Sequence, residues 1–528
     1  MDTKLASLKQ KAAPALIFVL LACFLFQGLG SMVLMNASSD EVTHLPSGYT
    51  YLKTGKFVLN PQHPPLIKEL SALPLLLIDP PLPLRDGWEK FPPNEWQFGK
   101  YFLYTADADR LLFWGRVPVL LLALLLGLYV YRWSNLLFGP PAGLMALTLY
   151  SFSPNVIAHS RFVTTDLGVS CFFVVALYHL WRFQRGAGRR HFVFAALGLG
   201  LAMGSKFSGV ILLPLFALLM GLHALRQKEW KKALFRSVGG FVLVLAVSFF
   251  VLDALYFFPD EPGTYWRHIA SVNSDRVSGY PYYLMGEFDV RGWWHYFAVA
   301  AFFKTTLPVI ALSLGALCLS VVRPDSEWMD DVFILLPMGV YFVFVSLMAD
   351  NIGVRYVLPL YPLAFIIAGR MAIWGRGASW RWVCVITLLL AHVVSAVRIY
   401  PDYLAYFNEL AGGPEKGHLI LDDSNIDWGQ DLKRLKTYME EHDVEHVKLH
   451  YPWNGDPAYY GISSEPATDH DIKVEPSPGV YAVSTHMLVR GEYDAMMEGA
   501  NSDWMTRYEP IARIGYSIYL FEFPKKKE

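Results

Sequence analysis

Long apolar stretches alternate with short polar segments over the first 400 residues of the chain. Because a bilayer core needs about 20 apolar residues per helix, this pattern predicts a polytopic α-helical membrane protein with about eleven transmembrane helices. The predicted spans are 14–35, 111–131, 142–158, 166–183, 191–204, 207–225, 237–257, 296–321, 332–349, 354–373 and 380–399.

Two loops between these spans are too long to be simple connectors, namely 36–110 and 258–295. Segments of this length usually form a subdomain or carry function. In the first loop, apolar residues at helical spacing predict short helices over 44–54 and 66–78. Both helices would suit the membrane surface.

The chain becomes more polar from about residue 400, which predicts two parts: a transmembrane domain over 1–399 and a soluble α/β domain over 400–528. Periodicity in the second part predicts one amphipathic helix over 428–441 and several strands. The predicted strands are 418–421, 447–450, 479–484 and 511–523, the last of them broken near Gly515.

Basic residues give the orientation, because they concentrate in the cytoplasmic loops of membrane proteins. One set of short segments holds most of them, whereas the opposite short loops hold only Arg161, Lys206 and Arg355. This asymmetry predicts a cytoplasmic N-terminus, with both long loops and the tail outside the cytoplasm. The basic set is Lys4, Lys9, Lys11, Arg132, Arg182, Arg185, Arg189, Arg190, Arg226, Lys228, Lys231, Lys232, Arg236, Arg323, Arg370, Arg376 and Arg381.

Composition agrees with a membrane protein, since 54% of the residues are hydrophobic and only 17% are charged, against about 25% charged in soluble domains. The formal net charge of −1 gives no reason to expect a nucleic-acid partner. The four cysteines, Cys23, Cys171, Cys318 and Cys384, fall inside predicted spans. The sequence therefore predicts neither a disulfide framework nor a cysteine metal site.

The strongest candidate chemistry lies in the first long loop. Asp40 and Glu41 directly follow the first span, and His63-Pro64-Pro65-Leu66-Ile67-Lys68 comes about twenty residues later. A carboxylate can act as a general base towards a hydroxyl while a cation holds a phosphate. The alternative is that the two acids only mark the water-facing end of a span.

Together these motifs resemble the first extracytoplasmic loop of protein O-mannosyltransferases and of lipid A aminoarabinose transferases, which are GT-C glycosyltransferases using polyprenyl-phosphate sugars. The resemblance covers roughly the first 400 residues and is strongest over 40–68. It implies that Asp40 is the general base and that Glu41 positions Asp40 or the acceptor. It also implies that Lys68 and His63 bind the donor phosphate.

Four further polar residues interrupt or border apolar spans on the same predicted side: Arg116, Asp166, Lys206 and Arg355. Ionisable groups at membrane depth are unfavourable and often functional. We expect Arg116 and Arg355 to assist phosphate binding, and Asp166 with Lys206 to form a second acidic position. The alternatives are interfacial anchoring for the cations and a helix cap for Asp166.

The second long loop and the tail are expected to contribute less directly. In the loop, Arg276, Tyr282 and Arg291 are candidates for contacts with donor or acceptor, although its aromatic residues would also suit an interfacial belt. In the tail, the acid-rich run 422–431 does not match a calcium loop and is expected to form caps and turns. This run resembles the tails of bacterial members of the family.

The resemblance implies inverting transfer of a sugar from a polyprenyl monophosphate to a hydroxyl of a protein, lipid or glycan. The expected partners are the lipid-linked donor, the acceptor and membrane lipids, at a bacterial inner membrane. We expect no cofactor, and no divalent metal, because the donor carries one phosphate rather than two. A secondary transporter and a non-catalytic envelope-assembly protein are the alternatives, and the sequence leaves the sugar and the acceptor open.

Overall fold

A computed structural model describes residues 2–82, 94–261, 263–274, 279–322, 328–376, 378–498 and 507–524. Its α-helices are α1 Asp2–Met32, α2 Ser39–Thr54, α3 Leu66–Ala72, α4 Leu75–Ile78, α5 Glu95–Tyr104, α6 Ala108–Phe138, α7 Pro140–Ser151, α8 Pro154–Ser160, α9 Thr165–Gln184, α10 Arg189–Ser205, α11 Leu212–Leu225, α12 Trp230–Leu255, α13 Thr264–Ser274, α14 Tyr296–Lys304, α15 Leu307–Val322, α16 Trp328–Met348, α17 Leu360–Ala368, α18 Met371–Gly375, α19 Ser379–Arg398, α20 Leu432–Glu441, α21 Asp469–Lys473 and α22 Thr485–Glu498. Its strands are β1 Tyr282–Leu284, β2 Glu287–Asp289, β3 Val447–His450, β4 Ser464–Pro466, β5 Gly479–Ser484, β6 Ala512–Ile514 and β7 Ile518–Phe523.

The polytopic helical class is confirmed, although the count of eleven spans is not. Among the described residues, 7 helices are long and apolar enough to cross a bilayer, or up to 8 if one bent pair counts as a single span. The segments predicted as spans 142–158, 191–204 and 354–373 form helices of fewer than 18 residues each. A helix rises 1.5 Å per residue, so the 12-residue α7 is too short for a hydrocarbon core of about 30 Å.

The breaks between these short helices have local causes. Pro154 lacks an N–H and opens α8, with two residues between it and the end of α7. The α14–α15 pair bends by 114° around Thr305 and Thr306. Asn408 stabilises this bend, because its side-chain amide donates to the carbonyls of Phe302 at 2.7 Å and Thr305 at 3.0 Å. A residue of the tail therefore satisfies carbonyls at the end of a membrane helix.

The first long loop folds into a small helical layer, α2 to α5, against the start of α6. Its apolar core includes Leu45, Tyr49, Phe102 and Leu111, all of them buried. Backbone contacts in this layer are very close: a Cβ added at Gly48 would lie 2.0 Å from the carbonyl oxygen of Lys68. The predicted helices over 44–54 and 66–78 are both present, but α2 begins five residues earlier than expected and Pro74 separates α3 from α4.

The tail contains a five-stranded mixed sheet with the order β4-β3-β5-β7-β6. Three strand predictions, 447–450, 479–484 and the broken 511–523, are confirmed. The predicted strand over 418–421 is wrong: it overlaps a 3-10 helix, Pro414–Leu419, that follows the Gly412-Gly413 turn. The predicted helix over 428–441 begins only at Leu432, because the backbone carbonyls of residues 428–430 are bonded to the membrane domain instead.

Residues 401–431 run along the ends of the membrane helices before the sheet begins. Lys304, fully buried at the end of α14, holds this segment by donating to the carbonyls of Leu404 and Asn425, both at 2.6 Å. Its ammonium also lies 4.4 Å from the centre of the Phe407 ring. The tail is thus fastened to the membrane domain by a buried cation.

We expect Lys304→Met to loosen this attachment, because two buried carbonyls would lose their donor, at about 1–3 kcal/mol each. The melting temperature of the purified protein should fall, and limited proteolysis should release the tail sooner. Lys416→Met, at an exposed position of the same segment, is the matched control and should leave both unchanged. Equal protease resistance of the Lys304 variant and the wild type would contradict this role.

Candidate functional site: an ionic cluster at the ends of the membrane helices

Glu41 occupies the third position of α2 and is completely buried. Its Oε2 accepts from the backbone N–H of Ser38 at 2.9 Å, which closes a capping box around the helix start. Its Oε1 accepts from the backbone N–H of Val163 at 2.9 Å. The carboxylate also pairs with Arg116 in a two-point contact, Nε to Oε1 and Nη2 to Oε2, both at 2.7 Å.

Arg116, on α6, uses its remaining N–H groups on backbone carbonyls at the end of α1. Nη1 donates to Met32 at 2.8 Å and Met35 at 3.2 Å, and Nη2 donates to Asn36 at 2.7 Å. An arginine has five N–H donors, and these contacts together with Glu41 occupy all of them. The sequence led us to expect Arg116 to help bind the phosphate of the sugar donor. In the structure, none of its N–H groups is left free for that contact.

Asp40 adjoins this pair yet has a different environment. Its side chain is 18% exposed, whereas that of Glu41 is fully buried. Oδ2 accepts from Nη1 of Arg355 at 2.8 Å. Oδ1 has no hydrogen-bond partner among the described residues. Arg355 therefore fixes the Asp40 carboxylate through Oδ2, while Oδ1 can still accept a hydrogen bond or a proton.

Asp166 and Lys206 form the second half of the cluster. Nζ of Lys206 donates to Oδ1 of Asp166 at 2.5 Å, and the ammonium lies 4.3 Å from the centre of the Tyr356 ring. Nη1 of Arg355 lies 3.8 Å from Oδ2 of Asp166. The structure thus brings the predicted second acidic position and Arg355 together with Asp40, around one shared guanidinium.

Lys68 lies apart from this cluster and is 1% exposed. Its ammonium donates to the carbonyls of His63 at 2.7 Å and Asn60 at 2.8 Å, and to the Tyr51 hydroxyl at 3.0 Å. Burial lowers the pKa of the Lys68 amine to about 7. Lys68 was expected to bind the donor phosphate. In the structure its side chain instead stabilises the loop that carries His63.

His63 itself faces another histidine, His44, with the ring centres 5.0 Å apart in an edge-to-face arrangement. Burial, reinforced by His44 and Lys206, holds the pKa of His63 well below its usual range. Burial also lowers the pKa of His44, whose Nδ1 donates to the Val163 carbonyl at 2.9 Å. Both rings are therefore neutral at physiological pH and suited to hydrogen bonding rather than to charge pairing.

The tail supplies one wall of the cluster. The buried Trp428 ring lies 4.5 Å from the Arg355 guanidinium. The carbonyl of Trp428 accepts from the backbone N–H of Ser39 at 2.8 Å, directly before Asp40. Asn36 adds a second link, because its side chain bonds both the Gly429 carbonyl at 2.6 Å and the Leu432 N–H at 2.7 Å. Arg355 and the residue before Asp40 are thus both in contact with Trp428 of the tail.

The acid-rich run 422–431 acts as a structural connector, as expected from its turn character. Its Asp423 accepts from the Tyr280 hydroxyl at 3.0 Å, and its Asn425 accepts from the N–H of Val354 at 2.9 Å. Asp422 pairs with His486 at 3.0 Å. Burial opposes a charge on His486, but Asp422 and Asp423 raise its pKa overall. No group of three or more potential metal ligands occurs among the described residues.

The three candidate residues in the second long loop differ in where they lie relative to the ionic cluster. Tyr282 donates to Asp350 at 2.7 Å and so supports the segment that leads to Arg355. Arg291 is 87% exposed and pairs with Asp289 of its own loop, outside the ionic cluster. Arg276 lies outside the described residues.

Comparisons with known proteins agree with this architecture. Residues 108–252 match the family model described as dolichyl-phosphate-mannose-protein mannosyltransferase. Over 96% of this chain and 98% of the other, the fold matches ArnT from Cupriavidus metallidurans in the apo state, with a TM-score of 0.50 at 13% identity. ArnT bound to undecaprenyl phosphate gives a TM-score of 0.49 at 13% identity, over 96% of this chain and 97% of the other.

The S. cerevisiae Pmt1-Pmt2 complex bound to the sugar donor matches over 49% of this chain and 34% of the other, with a TM-score of 0.33 at 18% identity. No curated protein matches the chain significantly in sequence. The fold assignment depends on the apo ArnT match, and the family resemblance on residues 108–252. The chain therefore has the fold of the apo ArnT structure, and its residues 108–252 are similar to the mannosyltransferase family model. The family-matched segment includes Arg116, Asp166 and Lys206.

We expect Glu41→Gln to lower stability by about 3–5 kcal/mol, the usual effect of breaking a buried ion pair. A large drop in melting temperature and in the yield of folded protein should result. The matched control is Glu229→Gln, which breaks an exposed pair with Lys232 and should change stability by no more than about 1 kcal/mol. A Glu41→Gln protein of native stability but no activity would instead assign Glu41 to the chemistry.

Proposed function

We propose that the protein transfers a sugar from a polyprenyl-monophosphate donor to a hydroxyl acceptor at the outer face of the membrane, with inversion at the anomeric carbon. The observation that carries the proposal is the state of Asp40. Of the three acids in the site, Asp40 alone combines partial exposure with an oxygen free of hydrogen bonds. A general base has to reach the proton that it removes.

In the proposed reaction, Oδ1 of Asp40 accepts the proton of the acceptor hydroxyl as its oxygen attacks the anomeric carbon. The bond between that carbon and the phosphate oxygen breaks, and the bonding electrons leave with the polyprenyl phosphate. One displacement on one carbon inverts its configuration. Arg355 and Lys206 supply positive charge for the leaving phosphate, since charge stabilisation at the departing group is the main requirement of such a step.

This assignment moves the phosphate role from Lys68 and Arg116 to Arg355 and Lys206. The first two direct their N–H groups to protein oxygens that hold the fold together. Arg355 has a buried Nε without a hydrogen-bond partner in the described structure, and Lys206 has one hydrogen bond, to Asp166. Lysine and arginine with spare N–H groups suit phosphate oxygens.

The donor and the acceptor class belong to the same proposal. The ArnT relative has been solved with undecaprenyl phosphate, and this supports a polyprenyl carrier here. A monophosphate leaving group carries less charge than a diphosphate, and two cations already face it, so we propose that no divalent metal is needed. Transfer that continues in excess chelator would support this, and loss of transfer restored by a divalent cation would contradict it.

We expect Asp40→Asn to reduce sugar transfer about 10²–10⁴-fold while stability and donor binding remain close to wild type. The assay is transfer from a polyprenyl-phosphate sugar by purified full-length protein, with NMR of the product reporting the anomeric configuration. Asp109→Asn removes an exposed carboxylate in the first turn of α6 and should retain activity. Near-normal transfer by Asp40→Asn, or a product of retained configuration, would overturn the mechanism.

The proposal also places Asp40 and the tail outside the cytoplasm, at a bacterial inner membrane. In a background without the four native cysteines, we expect Ser463→Cys, at an exposed tail position, to react with a membrane-impermeant thiol reagent in intact spheroplasts. Gln227→Cys, exposed on the predicted cytoplasmic side, should react only after lysis. The reverse pattern would invert the topology and place the site on the other face.

A further inference from the structure

His159, on α8, is completely buried, and neither of its ring nitrogens has a hydrogen-bond partner among the described residues. A neutral imidazole carries one N–H donor and one acceptor, so both capacities are left unused. Each such buried group is destabilising relative to a paired one. Native structures rarely keep such groups without a ligand, water or functional reason.

The surroundings of His159 are those of the proposed site. Its ring lies edge-on to Trp428, with the centres 6.0 Å apart, and the same Trp428 ring contacts the Arg355 guanidinium. His159 also interacts electrostatically with Asp166, Arg355, Lys304 and Lys206. Two of these neighbours have buried atoms without a hydrogen bond, Nε of Arg355 and Oδ2 of Asp166. Polar atoms without a hydrogen bond therefore belong to both side chains that contact the Trp428 ring, His159 and Arg355.

A second buried histidine shows that this chain can satisfy such a ring. His392, on α19, is equally buried, and its Nδ1 pairs with the Thr306 hydroxyl at 2.8 Å. Its Nε2 pairs with the Leu149 carbonyl at 3.0 Å. Both nitrogens of His392 thus have a structural explanation within the protein. The nitrogens of His159 do not, although both rings are equally buried.

We propose that His159 is a further phosphate-binding residue, which donates a ring N–H to a phosphoryl oxygen of the polyprenyl-phosphate donor. The inference rests on the proposed function and adds to it a residue that the sequence did not single out. A phosphate oxygen is the partner that the neighbourhood favours, because His159 and the Arg355 guanidinium, which we assign to the phosphate, contact the same Trp428 ring. The bond would strengthen as the phosphate gains charge on departure.

Two variants of similar side-chain volume separate a ligand contact from simple packing. His159→Gln keeps an N–H donor, whereas His159→Leu fills the space without one. With full-length protein in detergent and undecaprenyl phosphate as the probe, we expect the Leu variant to bind about 10- to 100-fold more weakly. The Gln variant should stay within about tenfold of wild type. In the absence of lipid phosphate, the Leu variant should melt at or above the wild-type temperature, because an unpaired buried polar group has been removed.

His392→Leu is the matched control: it should lower the melting temperature, because Thr306 and Leu149 lose their partner, while the folded protein binds undecaprenyl phosphate normally. Wild-type affinity in His159→Leu would overturn the proposal, and so would a loss of stability like that of His392→Leu. Equal weakening by Gln and Leu would also overturn it. If the wild type itself does not bind undecaprenyl phosphate, the proposed polyprenyl-phosphate donor is wrong, and the role of His159 is overturned with it.

Discussion

The buried ion pair between Glu41 and Arg116 is the contact on which the rest of the site depends. It joins the end of α1, the start of α2, the body of α6 and the backbone at Val163 between α8 and α9. A buried pair is stabilising only when its remaining donors and acceptors are satisfied, and here the surrounding backbone satisfies them. Because Asp40 precedes Glu41 in the same helical turn, this junction also fixes where the accessible carboxylate lies.

The site is assembled from segments far apart in the sequence. Asp40 comes from the first long loop, Asp166 and Lys206 from the helix ends near 165 and 206, and Arg355 from a short 3-10 helix. The tail completes the arrangement through two residues. The Trp428 ring contacts the Arg355 guanidinium, and Asn425 accepts from the backbone N–H of Val354 next to it. The tail therefore forms part of the proposed site. Removing it would disturb Arg355 and Asp40 together.

The sequence predicted the membrane class, most long helices and three of the tail strands, because hydrophobic periodicity reports directly on burial. It also singled out Asp40, Asp166, Lys206 and Arg355, which the structure brings together, since charges bordering apolar spans are conspicuous. The roles of Lys68 and Arg116 could not be read in this way, because their partners are mostly backbone carbonyls, which leave no pattern in a sequence. The short helices α7 and α8 were merged for a related reason: an apolar run does not show where its helix ends.

Some of the missing information was present in the sequence. Ser38-x-x-Glu41 is a capping-box pattern that marks the true start of α2 and gives Glu41 a structural role. His44 stands four residues after Asp40, on the same face of that helix. His159 had no comparable signal, because the feature that distinguishes it is the absence of partners in the folded chain. The contribution of Trp428 depends on a contact between residues more than 70 positions apart, which periodicity cannot reveal.

We propose that two sets of residues have different roles. Glu41, Arg116 and Lys68 stabilise the fold around the site, whereas Asp40, Arg355 and Lys206 contact the substrates. The most direct test is a cryo-electron microscopy structure of the full-length protein in lipid nanodiscs with undecaprenyl phosphate bound. The account predicts that the phosphate lies against Arg355 and Lys206, with the bonds of Arg116 and Lys68 to the protein unchanged. A phosphate held by Arg116 or Lys68, with those bonds broken, would contradict it.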